Sequence, residues 1–325
     1  MKKLFMSIIT PTYNRGDKLH IAFGSLMSQK NKNFEWIIVD DGSTDNTKQI
    51  VDKFVENADF PIVYKKIKHG GKHFATRAAY KFATGEYSLE LDSDDEFFAP
   101  TTVDDLYEMA KSTPHKCSCI GGCFIDQHDN VFPKIDGEYI DLDRNEYLEC
   151  FCDWQKINLL NAPWLFRTEY AKSVLPPAID DNLTYYPEAV VNVSRVLKCR
   201  DFHMRICNRP IYRYYVYNAD SVSVNTYKTN AEWYYAAGLI DVFHKYNLLE
   251  KYPEFIQRNI KQLFNSMTAN KGLRDVWCVL KTNGLQRYFI KYFIKYMVKQ
   301  IFSVKHVGNR CVITILGIKI KGRKK

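Results

Sequence analysis

Residues 5–91 alternate between short apolar segments and amphipathic segments, and no other feature of the sequence restricts the fold more. The apolar segments predict buried strands at 5–10, 35–39, 61–64 and 86–91. The intervening segments follow helix-start signals and predict helices at 17–30, 43–57 and 72–83. Strands that alternate with helices through short connections predict an α/β fold with a mostly parallel sheet and helices on both faces.

Polar residues follow three of these strands at the point where each strand ends. They are Thr10–Arg15 after the first strand, Asp40-Asp41-Gly42 after the second and Asp92–Asp95 after the fourth. Ligands of such sheets bind outside the carboxyl ends of the strands. The sequence therefore predicts one binding site at this edge.

The acidic segment places the carboxylates of Asp92, Asp94 and Asp95 within four positions. Like charges this close repel each other and are tolerated best with a cation between them. Asp92 and Asp94 would lie on opposite faces of a strand unless the chain turns at Ser93. Mg²⁺ or Mn²⁺ would bind one or two carboxylates, and substrate phosphates would complete its coordination. The alternative is a solvated acidic loop that caps the helix after Pro100.

Two further groups could contact a nucleotide. Asp40 or Asp41 could accept a hydrogen bond from the imide N–H of uracil, although Asx turns and helix caps also place Asp here. His69-Gly70-Gly71-Lys72 allows close backbone approach, and Lys72 and Arg77 could reach a phosphate or a base. Residue type alone is equally compatible with a surface-helix position for both cations.

Residues 9–15 and these three elements, in this order, resemble the family 2 glycosyltransferases of the GT-A fold over roughly residues 4–130. The resemblance implies a nucleotide-diphospho-sugar donor and a divalent cation, Mn²⁺ or Mg²⁺, with Asp94 as its principal ligand and Asp92 near the ribose and the metal. It implies a donor site formed by Thr10, Pro11, Tyr13, Asp40, Asp41, His69, Lys72, Arg77, Asp92 and Ser93.

A weaker resemblance continues at Tyr186-Pro187-Glu188, which is similar to a Pro-Glu segment that carries the acceptor-side carboxylate in some bacterial members. An inverting transfer needs a base for the acceptor hydroxyl. Glu188 is the candidate for this base, with Asp180 and Asp181 as reserves. A carboxylate at a helix N-terminus, favoured by the helix dipole, is the alternative. The tyrosines of 212–215, with His203 and Arg205, could line an acceptor cleft or simply pack in the core.

The net charge of +9 is unevenly distributed. Twelve of the 46 Lys and Arg residues lie from Lys281 onward, and no acidic residue follows Asp275. The remaining 34 basic and 37 acidic residues give 1–280 a charge of about −3. A basic tail on a mildly acidic body favours an anionic surface and argues against nucleic acid as a partner.

The tail also contains a candidate amphipathic helix. Basic residues recur every four positions beside aromatic and aliphatic residues, at Arg287, Lys291, Lys295 and Lys299. Such a helix can lie in a membrane interface, which we favour because the tail lacks acidic residues. The alternative is a helix packed on the protein with its lysines in water. The segment 312–321 predicts a short hairpin.

The nine Cys lack the spacing of zinc ligands, which predicts reduced thiols. The sequence shows no recognisable secretory leader or spanning segment, and together these features predict a cytoplasmic location. We expect a GT-A domain over 1–225, with a nucleotide-sugar half at about 1–130 and an acceptor half at about 131–225, and a helical basic region over 226–325.

Together these features predict an inverting, metal-dependent glycosyltransferase. It would transfer a sugar, expected to be UDP-linked, to a lipid-linked glycan for capsule or lipopolysaccharide at the inner face of a bacterial membrane. One alternative is a nucleotidyltransferase, although residues 11–16 lack the Gly-rich basic loop that it would need. Another is a non-catalytic nucleotide-sugar-binding or scaffold protein.

Overall fold

The computed structural model describes residues 4–114, 117–153, 156, 160, 163–174, 188–215, 231–267, 271–307, 310–315 and 318–323, and side chains only as far as residue 295. The chain divides into two compact units, Met1–Asn225 and Thr226–Lys325.

The described part of the first unit contains ten strands in one mixed sheet of order β3-β2-β1-β4-β9-β6-β10-β5, in which β7 pairs with β6 and β8 with β10. The strands are β1 (Met6–Thr12), β2 (Phe34–Asp40), β3 (Ile62–Lys66), β4 (Tyr87–Glu90), β5 (Glu96–Phe97), β6 (Cys119–Ile125), β7 (Val131–Phe132), β8 (Tyr139–Asp143), β9 (Trp164–Arg167) and β10 (His203–Arg213).

Seven described helices accompany this sheet. They are α1 (Leu19–Met27), α2 (Thr47–Asn57), α3 (Lys72–Tyr80), α4 (Thr102–Ser112), α5 (Arg144–Cys152), α6 (Thr168–Ser173) and α7 (Glu188–Lys198). The α/β class predicted from the alternation is confirmed. The sheet is mostly parallel only in its first half, because β4–β9, β6–β9 and the pairings of β5, β7 and β8 are antiparallel.

The central strands are covered on both faces. All seven residues of β1 and all seven of β2 are buried, as expected for a parallel sheet between two layers. On one face, Phe23 of α1 stacks on Phe54 of α2 with ring centroids 4.1 Å apart, and both rings lie against Trp36 of β2. This aromatic cluster fixes α1 and α2 on the same side of the sheet.

The first strand is longer than the sequence predicted, because Pro11 does not end it. β1 continues to Thr12, and Pro11 pairs with Val39. β1 pairs with β4 only as far as Ile9. Pro11 has no backbone N–H, and at its position no hydrogen bond to β4 is required. The loop therefore begins at Tyr13. Because β1, β2 and β4 are parallel, their carboxyl ends meet at one edge, as predicted.

The described part of the second unit contains four helices followed by a three-stranded antiparallel sheet. The helices are α8 (Ala231–Lys245), α9 (Pro253–Asn265), α10 (Leu273–Thr282) and α11 (Gln286–Ile301), and the strands are β11 (Phe302–Val307), β12 (Arg310–Ile315) and β13 (Ile318–Arg323). The pairing of β12 with β13 confirms the predicted C-terminal hairpin.

Helix α11 is packed on its own unit along one side. The Phe289 ring lies 5.1 Å from that of Trp277 in α10 and 5.7 Å from that of Phe264 in α9, and Tyr292 is buried. The opposite side exposes Ile290 and Ile294, with 66% and 56% of their surface accessible. This side of the helix therefore has apolar surface that its own unit does not cover.

Candidate active site

The loop after β1 is fastened to the loop after β2. The Asn14 amide donates to Ser43 Oγ at 2.8 Å, and its side-chain oxygen accepts from the Thr44 amide at 2.7 Å. The Gly16 amide donates to an Asp45 carboxylate oxygen at 3.1 Å. Asn14 has a φ of 50°, in the left-handed region that Asn tolerates better than most residues. These contacts fix the backbone on both sides of Arg15.

Thr10 lies in the core beneath this edge. Its side chain is fully buried, and its hydroxyl donates to the Leu91 carbonyl at 2.7 Å and accepts from the Trp36 indole at 2.9 Å. The hydroxyl therefore ties β1 to the residue that precedes the acidic segment.

Asp40 and Asp41 are both buried, and neither carboxylate is solvated. Asp40 accepts from the Ser43 amide at 2.6 Å and from the Tyr64 hydroxyl at 2.5 Å. Burial and this bond to Asp40 raise the pKa of Tyr64 well above its usual range. The two Asp side chains organise the loop after β2, and a base could reach Asp41 only through an oxygen that already has a partner.

Asp41 binds the backbone immediately before the N-terminus of α3. Its two oxygens accept from the amides of Gly70 and Gly71 at 2.8 and 2.7 Å, and His69 Nδ1 lies 2.8 Å from the second oxygen. Gly71 has a φ of 99°, which L side chains rarely adopt. The glycine pair thus brings the backbone close to a carboxylate of the protein itself.

Tyr13 and His69 form the exposed part of this region. Their rings stack with centroids 4.2 Å apart, and 43% of Tyr13 is accessible. Pro11 is buried beneath them in β1, and Arg77 is half-buried further along α3. The stack offers a planar surface beside Asp41, which a nucleoside base could use.

The acidic segment forms a turn, as expected if Ser93 allows the chain to reverse direction. The Asp95 amide donates to the Asp92 carbonyl at 3.2 Å, and Ser93 is buried. Asp95 is 5% exposed, and its Oδ1 has no hydrogen-bond partner. Burial and the nearby charges of Asp92 and Asp94 raise the pKa of Asp95 well above its usual range.

Two of these carboxylates form ion pairs with the cations that the sequence places nearby. Asp94 lies 2.6 Å from Arg15 Nη1, and Asp92 lies 2.8 Å from Lys72 Nζ. The first pair is about five-sixths buried, with side-chain exposures of 18% and 16%, whereas the second is 39% and 38% exposed. Both carboxylates therefore lie where the protein already supplies positive charge.

The donor set suits a hard divalent cation. The available ligands are carboxylate oxygens, including the unpartnered Oδ1 of buried Asp95. Among the residues described, no three His, Cys, Asp or Glu side chains are grouped as a metal cage. Mg²⁺ and Mn²⁺ are commonly held by one or two carboxylates, with phosphates and water completing the coordination, so Asp94 and Asp92 fit this mode.

A cavity of about 490 Å³, here called the Glu188 cavity, opens beside the acidic turn. Its charged lining residues are Lys72, Glu90, Asp92, Asp95, Glu188 and Arg195. Aromatic side chains form much of the remaining wall, among them Tyr147, Trp164, Phe166, Tyr212 and Tyr214. The aromatic side chains can stack on sugar rings, and the charged groups can bind hydroxyls.

Glu188 is the first residue of α7, is exposed as a residue and contributes to the lining of the cavity. The positive charge of Lys72 lowers its pKa, but desolvation and the charges of Asp92 and Glu90 outweigh this effect. The pKa of Glu188 is therefore raised above that of an ordinary Glu. A carboxylate with a raised pKa is a stronger base, as proton abstraction requires.

Sequence reasoning missed the buried contact that attaches α7 to the sheet. Arg195, only 5% exposed, lies 3.2 Å from Glu90 at the end of β4, and its guanidinium sits 5.1 Å from the Phe166 ring centre. Arg195 is seven positions after Glu188, so both side chains lie on a similar side of the helix. This spacing is the feature of the sequence that could have pointed to Arg195. The pair links the helix of Glu188 to the strand of the acidic turn.

Other predicted residues are placed differently. Tyr212 and Tyr214 line the Glu188 cavity, which favours the cleft interpretation for this part of the tyrosine-rich strand. Arg205 instead forms a bidentate pair with Asp141, at 2.6 Å to each oxygen, away from the cavity lining. The reserve carboxylates Asp180 and Asp181 lie outside the described residues.

Comparison with known proteins agrees with this geometry. The family model described as glycosyl transferase family 2 matches residues 7–175, just over half of the chain. A beta-1,3-glucosyltransferase named for GalNAc(5)-diNAcBac-PP-undecaprenol, from Campylobacter jejuni, is 28% identical over 232 residues, 69% of this chain and 68% of that protein. Glycosyltransferase GlyG of Streptococcus pneumoniae is 33% identical over 106 residues, 33% of this chain and 35% of that protein.

The poly(ribitol-phosphate) beta-N-acetylglucosaminyltransferase TarS of Staphylococcus aureus is 29% identical over 187 residues, 56% of this chain and 29% of TarS. The matches thus span about a third of GlyG and of TarS. The crystal structure of TarS 1–349 with UDP-GlcNAc superimposes with a TM-score of 0.58 at 18% identity, covering 98% of this chain and 99% of that one. This likeness confirms the GT-A fold, and the match to the family model shows that the chain belongs to glycosyl transferase family 2.

Proposed function

We propose that this protein is an inverting, metal-dependent glycosyltransferase that moves a sugar from a UDP-sugar to a lipid-linked glycan in bacterial surface-polysaccharide synthesis. One observation carries the proposal. Asp92 and Asp95 of the acidic turn line the same cavity as Glu188, and the charge of Lys72 interacts with both Asp92 and Glu188. A donor diphosphate and an acceptor hydroxyl would thus meet there.

The chemistry follows from these positions. Glu188 takes the proton of the acceptor hydroxyl, whose oxygen forms the new bond to the anomeric carbon from the face opposite the diphosphate. The bond from that carbon to the diphosphate oxygen breaks, and the nucleoside diphosphate leaves. Lys72 is held as an ammonium by Asp92 and Glu188 and can stabilise the leaving charge. A divalent cation held by Asp94 and Asp92 would supply further neutralisation.

Donor and acceptor classes are proposed from the relatives. TarS was crystallised with UDP and with UDP-GlcNAc, which supports a UDP-linked donor. The Campylobacter relative is named for an undecaprenol-linked glycan, which supports a lipid-linked acceptor. The mannosyltransferase PcManGT of Pyrobaculum calidifontis, with a TM-score of 0.51 at 14% identity, was crystallised with GDP-Man and Mn²⁺, so GDP-sugars belong in any donor screen.

A donor screen tests the proposal. With Mn²⁺ present, we expect one UDP-sugar to raise the melting temperature more than UDP alone, because a ligand at about one hundred times its Kd adds about 2.7 kcal/mol of stability. The same sugar should be slowly hydrolysed without acceptor, and EDTA should abolish hydrolysis. Stabilisation without hydrolysis would favour a nucleotide-sugar-binding scaffold. Hydrolysis that survives EDTA would contradict the metal dependence.

We also propose that the second unit associates with the inner face of the membrane. No helix in the described ranges is both long and apolar enough to cross a bilayer. Helix α11 nevertheless exposes Ile290 and Ile294 beside the exposed Lys291 and Lys295, in a tail without acidic residues. Apolar side chains next to lysines suit the interface of an anionic bilayer.

Replacement of Ile290 and Ile294 by Ser should weaken binding to anionic vesicles by roughly 100-fold or more, because two Ile side chains buried in the bilayer interface contribute about 3–6 kcal/mol together. Co-flotation with vesicles containing phosphatidylglycerol measures this change. Val55→Ser is the matched control, because Val55 is 51% exposed in the first unit. Equal binding by the double variant and the parent protein would contradict the proposal.

A further inference from the structure

The ion pair between Arg15 and Asp94 joins two parts of the site that are far apart in sequence. Arg15 follows β1, and Asp94 lies in the turn after β4, yet Nη1 and Oδ2 are 2.6 Å apart. Both side chains are largely buried, at 18% and 16% exposure. Charge-assisted contacts of this length and burial are strong, because water screens them poorly. Asp94 is the carboxylate that the proposed function gives to the metal.

The backbone that carries Arg15 is fixed, so the side chain is the part that can move. Hydrogen bonds from the residues on either side, Asn14 and Gly16, fasten this loop to Ser43, Thr44 and Asp45. The guanidinium is borne on a long flexible stem at the edge where a diphosphate would lie. Its planar group of donors matches phosphate oxygens in pairs.

A divalent cation that binds Asp94 must share the negative charge of this carboxylate with Arg15, whose Nη1 already lies 2.6 Å from Oδ2. Two cations at one oxygen would repel each other. Either binding of the metal displaces the guanidinium, or the guanidinium lowers the affinity for the metal. In both cases the ion pair makes the free energy of metal binding less favourable.

We propose that Arg15 occupies the position of the divalent cation at Asp94 in the metal-free protein and transfers to the donor diphosphate when the cation binds. This inference rests on the proposed function and adds to it a coupling between two ligands. Without nucleotide, displacement of Arg15 breaks the ion pair and no phosphate is gained in exchange, so the metal binds more weakly than it does with the diphosphate present. With the diphosphate present, Arg15 gains a phosphate and the metal gains phosphate ligands, so each ligand favours the other.

The test is a titration of Mn²⁺ into the full chain by isothermal calorimetry, with and without UDP. The wild-type protein should bind Mn²⁺ more tightly when UDP is present. Arg15→Gln should bind Mn²⁺ about five- to tenfold more tightly than wild type without UDP, because the competing ion pair is gone. In Arg15→Gln, the ratio of the Mn²⁺ dissociation constant without UDP to that with UDP should be smaller than in wild type. The reason is that this variant has no guanidinium group to bind the diphosphate.

Lys18→Gln is the matched control. Lys18 lies with Asp94 around a second cavity of about 520 Å³, and its ammonium group pairs with Asp17. Lys18→Gln removes one positive charge from the same neighbourhood without removing a contact to Asp94. It should leave the affinity for Mn²⁺ within about twofold, because the Lys18 ammonium group is partly exposed and already paired with the exposed Asp17, so solvent screens its effect on Asp94. Arg15→Lys should fall between wild type and Arg15→Gln, and it serves as the test variant if Arg15→Gln does not fold.

The outcomes separate this inference from the proposed function. If wild type binds Mn²⁺ and Arg15→Gln binds it no more tightly, the exchange is wrong and the metal-dependent function stands. An equal gain in Lys18→Gln would also overturn the exchange, because general electrostatics would then explain it. If wild type fails to bind Mn²⁺ even with UDP, the metal site and the exchange are both wrong.

Discussion

Glu188→Gln is expected to reduce sugar transfer by roughly 10²- to 10⁴-fold, which is the usual contribution of general-base catalysis. Gln has nearly the same shape and cannot accept the proton, so the binding of UDP-sugar and metal should be unchanged. Single-turnover transfer to an acceptor measures the loss, and thermal stabilisation by the UDP-sugar measures donor binding. Near-normal turnover would reject the role of Glu188 as base.

Glu254→Gln is the control for the helix-dipole interpretation. Glu254 is an exposed carboxylate in the first turn of α9, so like Glu188 it lies in the first turn of a helix, but it does not line the Glu188 cavity. Loss of a first-turn carboxylate usually costs about 0.3–1 kcal/mol in stability. If Glu188 were only a favourable charge at a helix terminus, the two variants would lose similar stability and neither would lose turnover.

The pH profile gives a second readout for Glu188. A base must be ionised, and the pKa of Glu188 lies above that of an ordinary Glu because desolvation and neighbouring carboxylates outweigh the effect of Lys72. Activity should therefore fall with decreasing pH at a higher pH than an unperturbed Glu would give. This acidic limb should be absent from the residual activity of Glu188→Gln.

Asp94→Asn is expected to lower kcat/KM by at least about 100-fold. The substitution removes the charge that would bind the cation, and this weakens the neutralisation of the leaving diphosphate. Such neutralisation by a metal ion is worth several kcal/mol. Mn²⁺ should no longer enhance the thermal stabilisation by UDP. Both effects can be measured on the same purified protein, by initial rates and by melting temperature.

Asp52→Asn is the matched control for this change. Asp52 is 52% exposed and pairs with Lys48 one helical turn away in α2. Such surface pairs contribute about 0.3–0.5 kcal/mol, so activity and the response to Mn²⁺ should be unchanged. If Asp94→Asn kept full activity with a normal metal response, another ligand set would have to hold the cation.

Local patterns determined the elements that form the carboxyl edge of the sheet. The apolar runs and helix-start signals located β1 to β4 and α1 to α3 to within a few residues, because their hydrophobic spacing is decided over short distances. The parallel pairing of β1, β2 and β4 then brought their polar carboxyl ends to one edge, a consequence of strand order that the alternation implied.

Contacts between distant segments decided the partners of the site residues. Nothing near Thr10 in the sequence shows that its hydroxyl is hydrogen-bonded to the Leu91 carbonyl and the Trp36 indole. Nor does the sequence show that Asp40 accepts a hydrogen bond from Tyr64. The same residue types would suit a solvated loop that contacts a ligand. Burial and the register between neighbouring strands determine which of these two states each side chain adopts.

The amphipathic pattern of α11 illustrates the same limit. Its apolar face is wide enough to suit either a bilayer or a protein surface. Packing of Phe289 on Trp277 and Phe264 covers one part, and Ile290 and Ile294 stay exposed. Only the positions of α9 and α10 divide the face in this way.

The sequence by itself determined the α/β class, the edge of the sheet that bears the polar residues and the family resemblance, because periodicity and short motifs are local properties. Tertiary structure alone decided that Arg15 pairs with Asp94, that Arg195 anchors α7 to Glu90 and that Glu188 shares a cavity with Asp92. The first two contacts join residues 79 and 105 positions apart. Over such separations the energy of a charge depends on burial and distance, which exist only once the chain has folded.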